Sequence, residues 1–139
     1  TGRGRREAAQ SGAAMEDAGL KPTLALVSTA QRTRETAEHG LANFALETRF
    51  EEALYHASPE SIWDAFTAND AETVVVVTHN PGVGELVAQL VHQAHDRSQL
   101  ARAFAGHFPT SAFAAFEIRG DLMAAAGPRL IAAWKPERD

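Results

Sequence analysis

Short apolar runs along this chain alternate with stretches whose apolar residues recur at helical spacing. Thr23 to Ser28 (TLALVS) predicts a buried strand. Thr73 to Thr78 (TVVVVT) predicts a second. Its four consecutive valines call for burial on both faces, as in a central parallel strand. Between them, Thr29 to about Gly40 predicts a helix closed by Gly40. Ala45 to Phe50 (ALETRF) alternates, with Leu46, Thr48 and Phe50 on one face, which suits a strand near an edge. Glu51 to Ser58 reads as irregular. Ser58-Pro59-Glu60 then opens a helix, with Ser58 as its cap, Pro59 in its first position, and Ile62, Trp63 and Phe66 on its apolar side.

Asn80-Pro81 opens another helix. Its Val83, Leu86, Val87, Leu90 and Val91 follow the i, i+3, i+4, i+7, i+8 pattern of packing on a sheet. Upstream, Thr1 to Gly4 reads as a loop, and Arg5 onward as a helix rich in helix formers that Gly19 stops. Leu100 to Phe104 suits a helical turn. Ser111 to Ile118 and Arg129 to Trp134 read as an antiparallel pair on one edge, separated by Arg119-Gly120-Asp121 and Gly127-Pro128. The alternation predicts a single α/β domain over residues 1–139: three layers, αβα, with a mostly parallel central sheet.

Composition narrows the chemistry. A chain of 139 residues can bury a core without disulfides. It has no cysteine, so thiolate chemistry and cysteine metal ligands are excluded. The net charge of −5 argues against non-specific nucleic-acid binding. No apolar run approaches a membrane span, and no signal-peptide pattern opens the chain, so the expected location is the cytoplasm, away from membranes. The histidines show no HxH or HExxH spacing, so no metal is expected. His92 and His95 could share a helix face but suit a solvated helix end.

In such folds ligands sit beyond the carboxyl ends of the strands, which singles out the turns after Ser28 and Thr78. Arg32 falls in the first turn of a helix after a buried strand. There its fork and the helix dipole suit a phosphate, although a surface arginine like Arg34 would read the same. His79 falls where the valine strand ends and a helix begins. Its ring would face the crevice, although Asn80 or Thr78 could simply cap the helix and leave His79 as a turn residue.

Several segments in order resemble the histidine phosphatase superfamily, in particular its SixA-type phosphohistidine phosphatases. Thr1 to Ala9 (TGRGRREAA) resembles the LT-x-x-G-x-x-x-A segment. Val27 to Ala37 (VSTAQRTRETA) resembles the S-S-P-x-x-R-A-x-x-T-A block, with Thr29 for proline and Thr33 for alanine. Val75 to Val83 (VVVTHNPGV) resembles the block of the second active-site histidine in its HNPG form. Leu54 to Ser58 (LYHAS) and Phe108 to Ala112 (FPTSA) also resemble SixA segments.

The resemblance implies a phosphoglycerate mutase-like sheet. It puts Arg32 and His79 in the phosphate pocket as catalytic groups, with Asn80 beside them. It implies a metal-independent and cofactor-free phosphohydrolase that works through a phosphohistidine enzyme. The implied nucleophile is a histidine in an Arg-His-Gly or Arg-His-Ala motif on the family's first, central strand, and no such motif stands in this chain. The expectation is an N-terminally incomplete domain, the alternative a natural degenerate form. For the leaving-group acid, Glu52 and Glu51 lie in the region matching the mutase glutamate, and His56 could instead line the rim. Thr110 and Ser111 could add hydroxyl contacts or merely start a strand. The implied partner is a phosphohistidine-bearing protein. The alternatives are a small phosphorylated metabolite or, for an inactive homologue, phosphate binding without turnover.

Overall fold

The computed structural model describes residues 2–94, 98–102, 104, 108–117 and 128–137. Helix α1 runs Gly2–Asp17, strand β1 Leu24–Ser28, helix α2 Gln31–Gly40 and strand β2 Glu47–Glu51. A 3₁₀ turn at Glu52–Leu54 leads to helix α3 (Pro59–Thr67), strand β3 (Val74–Val77) and helix α4 (Gly82–Gln93). A single turn, α5 (Gln99–Arg102), precedes strands β4 (Phe113–Glu117) and β5 (Arg129–Trp134). The expected turn at Arg119-Gly120-Asp121, Ile118, Gly127, His95, His107 and Thr1 lie outside the described residues.

The fold is α/β. Its sheet is parallel with strand order β2-β1-β3, and its helices cover both faces. Strand β1 shows why. All five of its residues are buried, and successive side chains point to opposite faces. Leu24 and Leu26 join Leu54, Ile62, Leu86 and Leu90 in one core, built on α3 and α4. Ala25 and Val27 join Met15, Ala37 and Leu41 in the other, built on α1 and α2. The valines of β3 divide the same way, Val74 and Val76 to the first core, Val75 and Val77 to the second.

Three expectations need correction. The central strand of the described sheet is β1, not β3. The four valines do pack on both layers, but they are only half-buried, because one edge of β3 has no strand partner among the described residues. The α1 helix begins at Gly2, so the predicted Gly2–Gly4 loop is helical. Strand β2 is indeed an edge, but its alternation does not bury a face. Phe50 is 48% exposed and is covered instead by the Arg34 guanidinium, 4.4 Å above the ring.

The late strands pair antiparallel as expected, but as a separate two-stranded sheet with an irregularity between Ala115 and Phe116. Phe113 packs on the α1–α2 core and Phe116 on the α3–α4 core, so the hairpin contributes to both layers.

Candidate active site

The parallel register pairs Ser28 with Glu51 and Val27 with Val77. Three strand ends therefore finish at one level, and the β1–α2 turn, the 3₁₀ loop and the β3–α4 turn meet there.

The β1–α2 turn is fastened from two sides. The buried Thr33 hydroxyl lies 2.8 Å from the Ser28 carbonyl and 2.9 Å from that of Ala30. Outside, Arg34 donates from Nε to the Thr29 carbonyl at 2.9 Å while stacking on Phe50. Arg32, between the two, is exposed in the first turn of α2. It lines an open cavity of ≈ 550 Å³, with Arg3, Arg5, Gln31, Thr110 and Ser111 among the other walls.

The β3–α4 turn is held as firmly. The Thr78 hydroxyl donates to the Leu54 carbonyl at 2.8 Å, so the strand end is tied to the 3₁₀ loop. Gly82 then lets α4 start against that loop, for a Cβ there would lie 2.0 Å from the Ala57 carbonyl oxygen. Asn80 does the capping. Its Oδ1 accepts the Gly84 N–H at 3.1 Å, and its Nδ2 donates to the Phe108 carbonyl at 2.8 Å. Both ends of the Asn80 amide are thus engaged within the protein.

His79 is half-buried, with Nε2 2.8 Å from the Ser28 hydroxyl. Ser28 is fully buried and its oxygen also faces the Ala30 N–H at 3.4 Å. A buried hydroxyl proton needs an acceptor, and among the described residues Nε2 is the one in reach. Ser28 therefore donates, and the neutral His79 ring carries its own proton on Nδ1. Burial pushes the His79 imidazole below its ordinary value, and positive charge on His56 and Arg32 pushes the same way. His79 is accordingly a neutral donor in a locally cationic setting.

His56 and Tyr55 complete the cluster. The His56 ring centroid is 5.3 Å from that of His79, and Tyr55 stands edge-on to His56 at 4.5 Å. The structure thus brings Arg32, His79 and His56 to one end of the sheet. Glu52 is exposed, and its backbone carbonyl, which accepts from the Tyr55 N–H, is its contribution to the turn. Ser28 and Tyr55 escaped sequence reasoning. The signal for Ser28 was a lone hydroxyl ending an otherwise apolar strand that faces the ligand crevice. Among the described residues, no three His, Asp or Glu side chains gather as a metal site, and no helix is long and apolar enough to cross a membrane.

Fold and site together define an α/β protein with an arginine and two imidazoles gathered at its strand ends. No protein-family model matches the chain. A structure assigned as SixA phosphohistidine phosphatase from Nakamurella multipartitia is 27% identical, with a TM-score of 0.82 over 98% of this chain and 83% of that one. One from Agrobacterium tumefaciens, assigned likewise, is 25% identical, with a TM-score of 0.79 over 98% and 82%. A protein histidine phosphatase SixA complexed with tungstate is 20% identical and shares the fold, with a TM-score of 0.69 over 96% and 81%. An uncharacterized protein of Mycobacterium leprae is 28% identical over 120 residues, 85% of this chain and 73% of that protein. The structural likeness sets the chain in the histidine phosphatase superfamily, with the SixA branch as its structural neighbours.

Proposed function

We propose that this protein hydrolyses phosphoryl groups through a phosphohistidine enzyme intermediate, with phosphohistidine on a protein as its substrate. The observation that carries the reading is the convergence of Arg32, His79 and His56 at the carboxyl ends of β1 and β3. In phosphoryl transfer, positioning and charge stabilisation supply most of the catalysis. Arg32 would take two equatorial oxygens in its fork. His79, neutral and with Nε2 occupied by Ser28, would offer Nδ1–H to a third oxygen. The backbone of the turn at Asn80 is the part of that residue left for the phosphate, since its side chain caps α4. Phosphoryl transfer by these groups would call on no metal or cofactor.

The nucleophile in this reading is a histidine on a further strand, in the Arg-His-Gly or Arg-His-Ala motif that the family resemblance implies. The edge of β3 that has no strand partner among the described residues offers a place for it. Such a strand would bury the valine edge and bring its carboxyl end beside His79.

The cavity beside Arg32 is open, which suits a side chain on a protein surface better than an enclosed metabolite. The substrate in this reading is a cytoplasmic phosphoprotein. The test is turnover of a phosphohistidine protein against sugar and nucleotide phosphates by the full-length protein. Arg32→Ala and His79→Ala should each lower the rate by about two orders of magnitude, the usual loss for one preorganised donor. Near-wild-type rates in either variant would remove that residue from the pocket. Phosphate binding without turnover would make the protein a binding module.

A further inference from the structure

His56 lies on a backbone no ordinary side chain prefers. Its φ is +51°, in the left-handed region, which costs a non-glycine residue about 1 kcal/mol or more. The surroundings impose it. On one side Leu54 is 1% exposed, its carbonyl is held by Thr78, and the Tyr55 N–H closes the 3₁₀ turn onto Glu52. On the other side Ala57 is buried with its carbonyl pressed against Gly82, and Ser58 caps α3 by accepting the Ser61 N–H at 3.2 Å. Both ends are pinned to the core, and the two residues between them, Tyr55 and His56, are turned outward into solvent beside His79.

The His56 ring is oriented but uncommitted. It packs against Tyr55 edge-on at 89° and lies tilted by 31° to His79, while its nitrogens bond to no described residue. A strained, anchored imidazole with free nitrogens beside the pocket is placed to exchange a proton with whatever occupies it. Arg32 and His79 hold the oxygens in the reading above, so the group left facing outward is the leaving group.

We propose that His56 is the catalytic acid for the leaving group, in preference to Glu52. This rests on the phosphatase reading above. In the first step the nucleophilic imidazole forms its bond to phosphorus as the phosphorus–leaving-atom bond breaks. The bonding pair stays on the leaving nitrogen or oxygen, which takes the proton of the His56 imidazolium. In the second step neutral His56 accepts a proton from the water that attacks phosphorus, and the pair of the broken phosphorus–nitrogen bond returns to the nucleophile. With phosphohistidine as substrate, the proton passes from the His56 imidazolium to the departing imidazole nitrogen, which then leaves as a neutral ring.

The experiment compares two substrates of one shape in the full-length protein. Phenyl phosphate leaves as an oxyanion that needs a proton; 4-nitrophenyl phosphate leaves as a stabilised anion that does not. His56→Asn keeps a residue that tolerates the left-handed backbone. In a single turnover it should slow leaving-group release about 10²-fold or more from phenyl phosphate and little from 4-nitrophenyl phosphate. His56→Gly should regain phenyl phosphate turnover when imidazole is added. Equal losses on both substrates, or no loss on phenyl phosphate, would overturn the assignment. A wild-type protein silent on a phosphohistidine protein as well as on both aryl phosphates would instead overturn the phosphatase reading and this inference together.

Discussion

Replacing Gly82 with alanine should disable the site by geometry alone. The added Cβ would lie 2.0 Å from the Ala57 carbonyl oxygen, 3.2 Å from its carbon and 3.4 Å from Ile62 Cδ1. A Cβ does not approach another heavy atom closer than 3.0 Å, so one backbone must retreat by about 1 Å. The obstacle is a carbonyl and cannot rotate away. Overpacking of this kind costs about 1–3 kcal/mol. The gain in helix propensity from glycine to alanine offsets at most about 1 kcal/mol. A net loss of up to about 2 kcal/mol is expected, read as a lower urea midpoint.

The larger effect is on rate. Gly82 is three residues from His79, and Ala57 adjoins His56, so the displacement separates the two imidazoles. A misplacement of about 1 Å can cost about 10²-fold. The assay is turnover of phenyl phosphate per folded molecule, with Gly12→Ala as control. Gly12 makes the same kind of contact, its Cβ 2.0 Å from the Gly40 carbonyl oxygen, but Gly40 lies about 12 Å along α2 from Arg32. Gly12→Ala should lose comparable stability and keep its turnover per folded molecule. A Gly82→Ala variant with undiminished turnover, or a control that loses as much, would refute the reasoning.

Ser28→Ala should cost about 1 kcal/mol for the lost hydrogen bond. It should also free the His79 tautomer, seen as a change in the ring ¹⁵N shifts; an unchanged spectrum would show that Ser28 does not set the proton's place. The depressed His79 imidazole links stability to pH. The unfolded chain takes up a proton near the ordinary value of 6.5 while folded His79 still resists it, so stability is intact above that pH and declines as pH falls toward the folded value. His79→Gln should flatten that part of the stability–pH curve relative to wild type, and parallel curves would contradict the assignment.

The elements most legible in the sequence were those that one layer decides. The Ser58-Pro59 cap and the apolar stripe of α4 follow from local chemistry, and both form. The rank of strands within the sheet is set by partners elsewhere. Four valines announce two covered faces but say nothing of which edge is bonded, and among the described residues β3 stands at the sheet's edge. Periodicity puts Phe50 on one face with Leu46 and Thr48, but it cannot see that an arginine on the preceding helix covers the ring from outside. At the site, strand-end position singled out Arg32 and His79, while their fastening was invisible. Thr33 looked like a departure from a family block, yet its hydroxyl grips the turn at two carbonyls. The sequence offers Asn80 both as a ligand and as a cap; its side chain takes the cap, accepting the Gly84 N–H.

Strand β1 has a role beyond filling the middle of the sheet. Its alternate residues belong to two separate cores, one under the helix that carries Arg32 and the other under the loops that carry His56 and His79. The two halves of the cradle are therefore mounted on different layers, and β1 is the common ruler against which both are aligned. A substitution at Ala25 or Val27 would disturb the arginine side, and one at Leu24 or Leu26 the imidazole side. Either way the phase between cation and imidazole would slip, although none of the four touches the pocket.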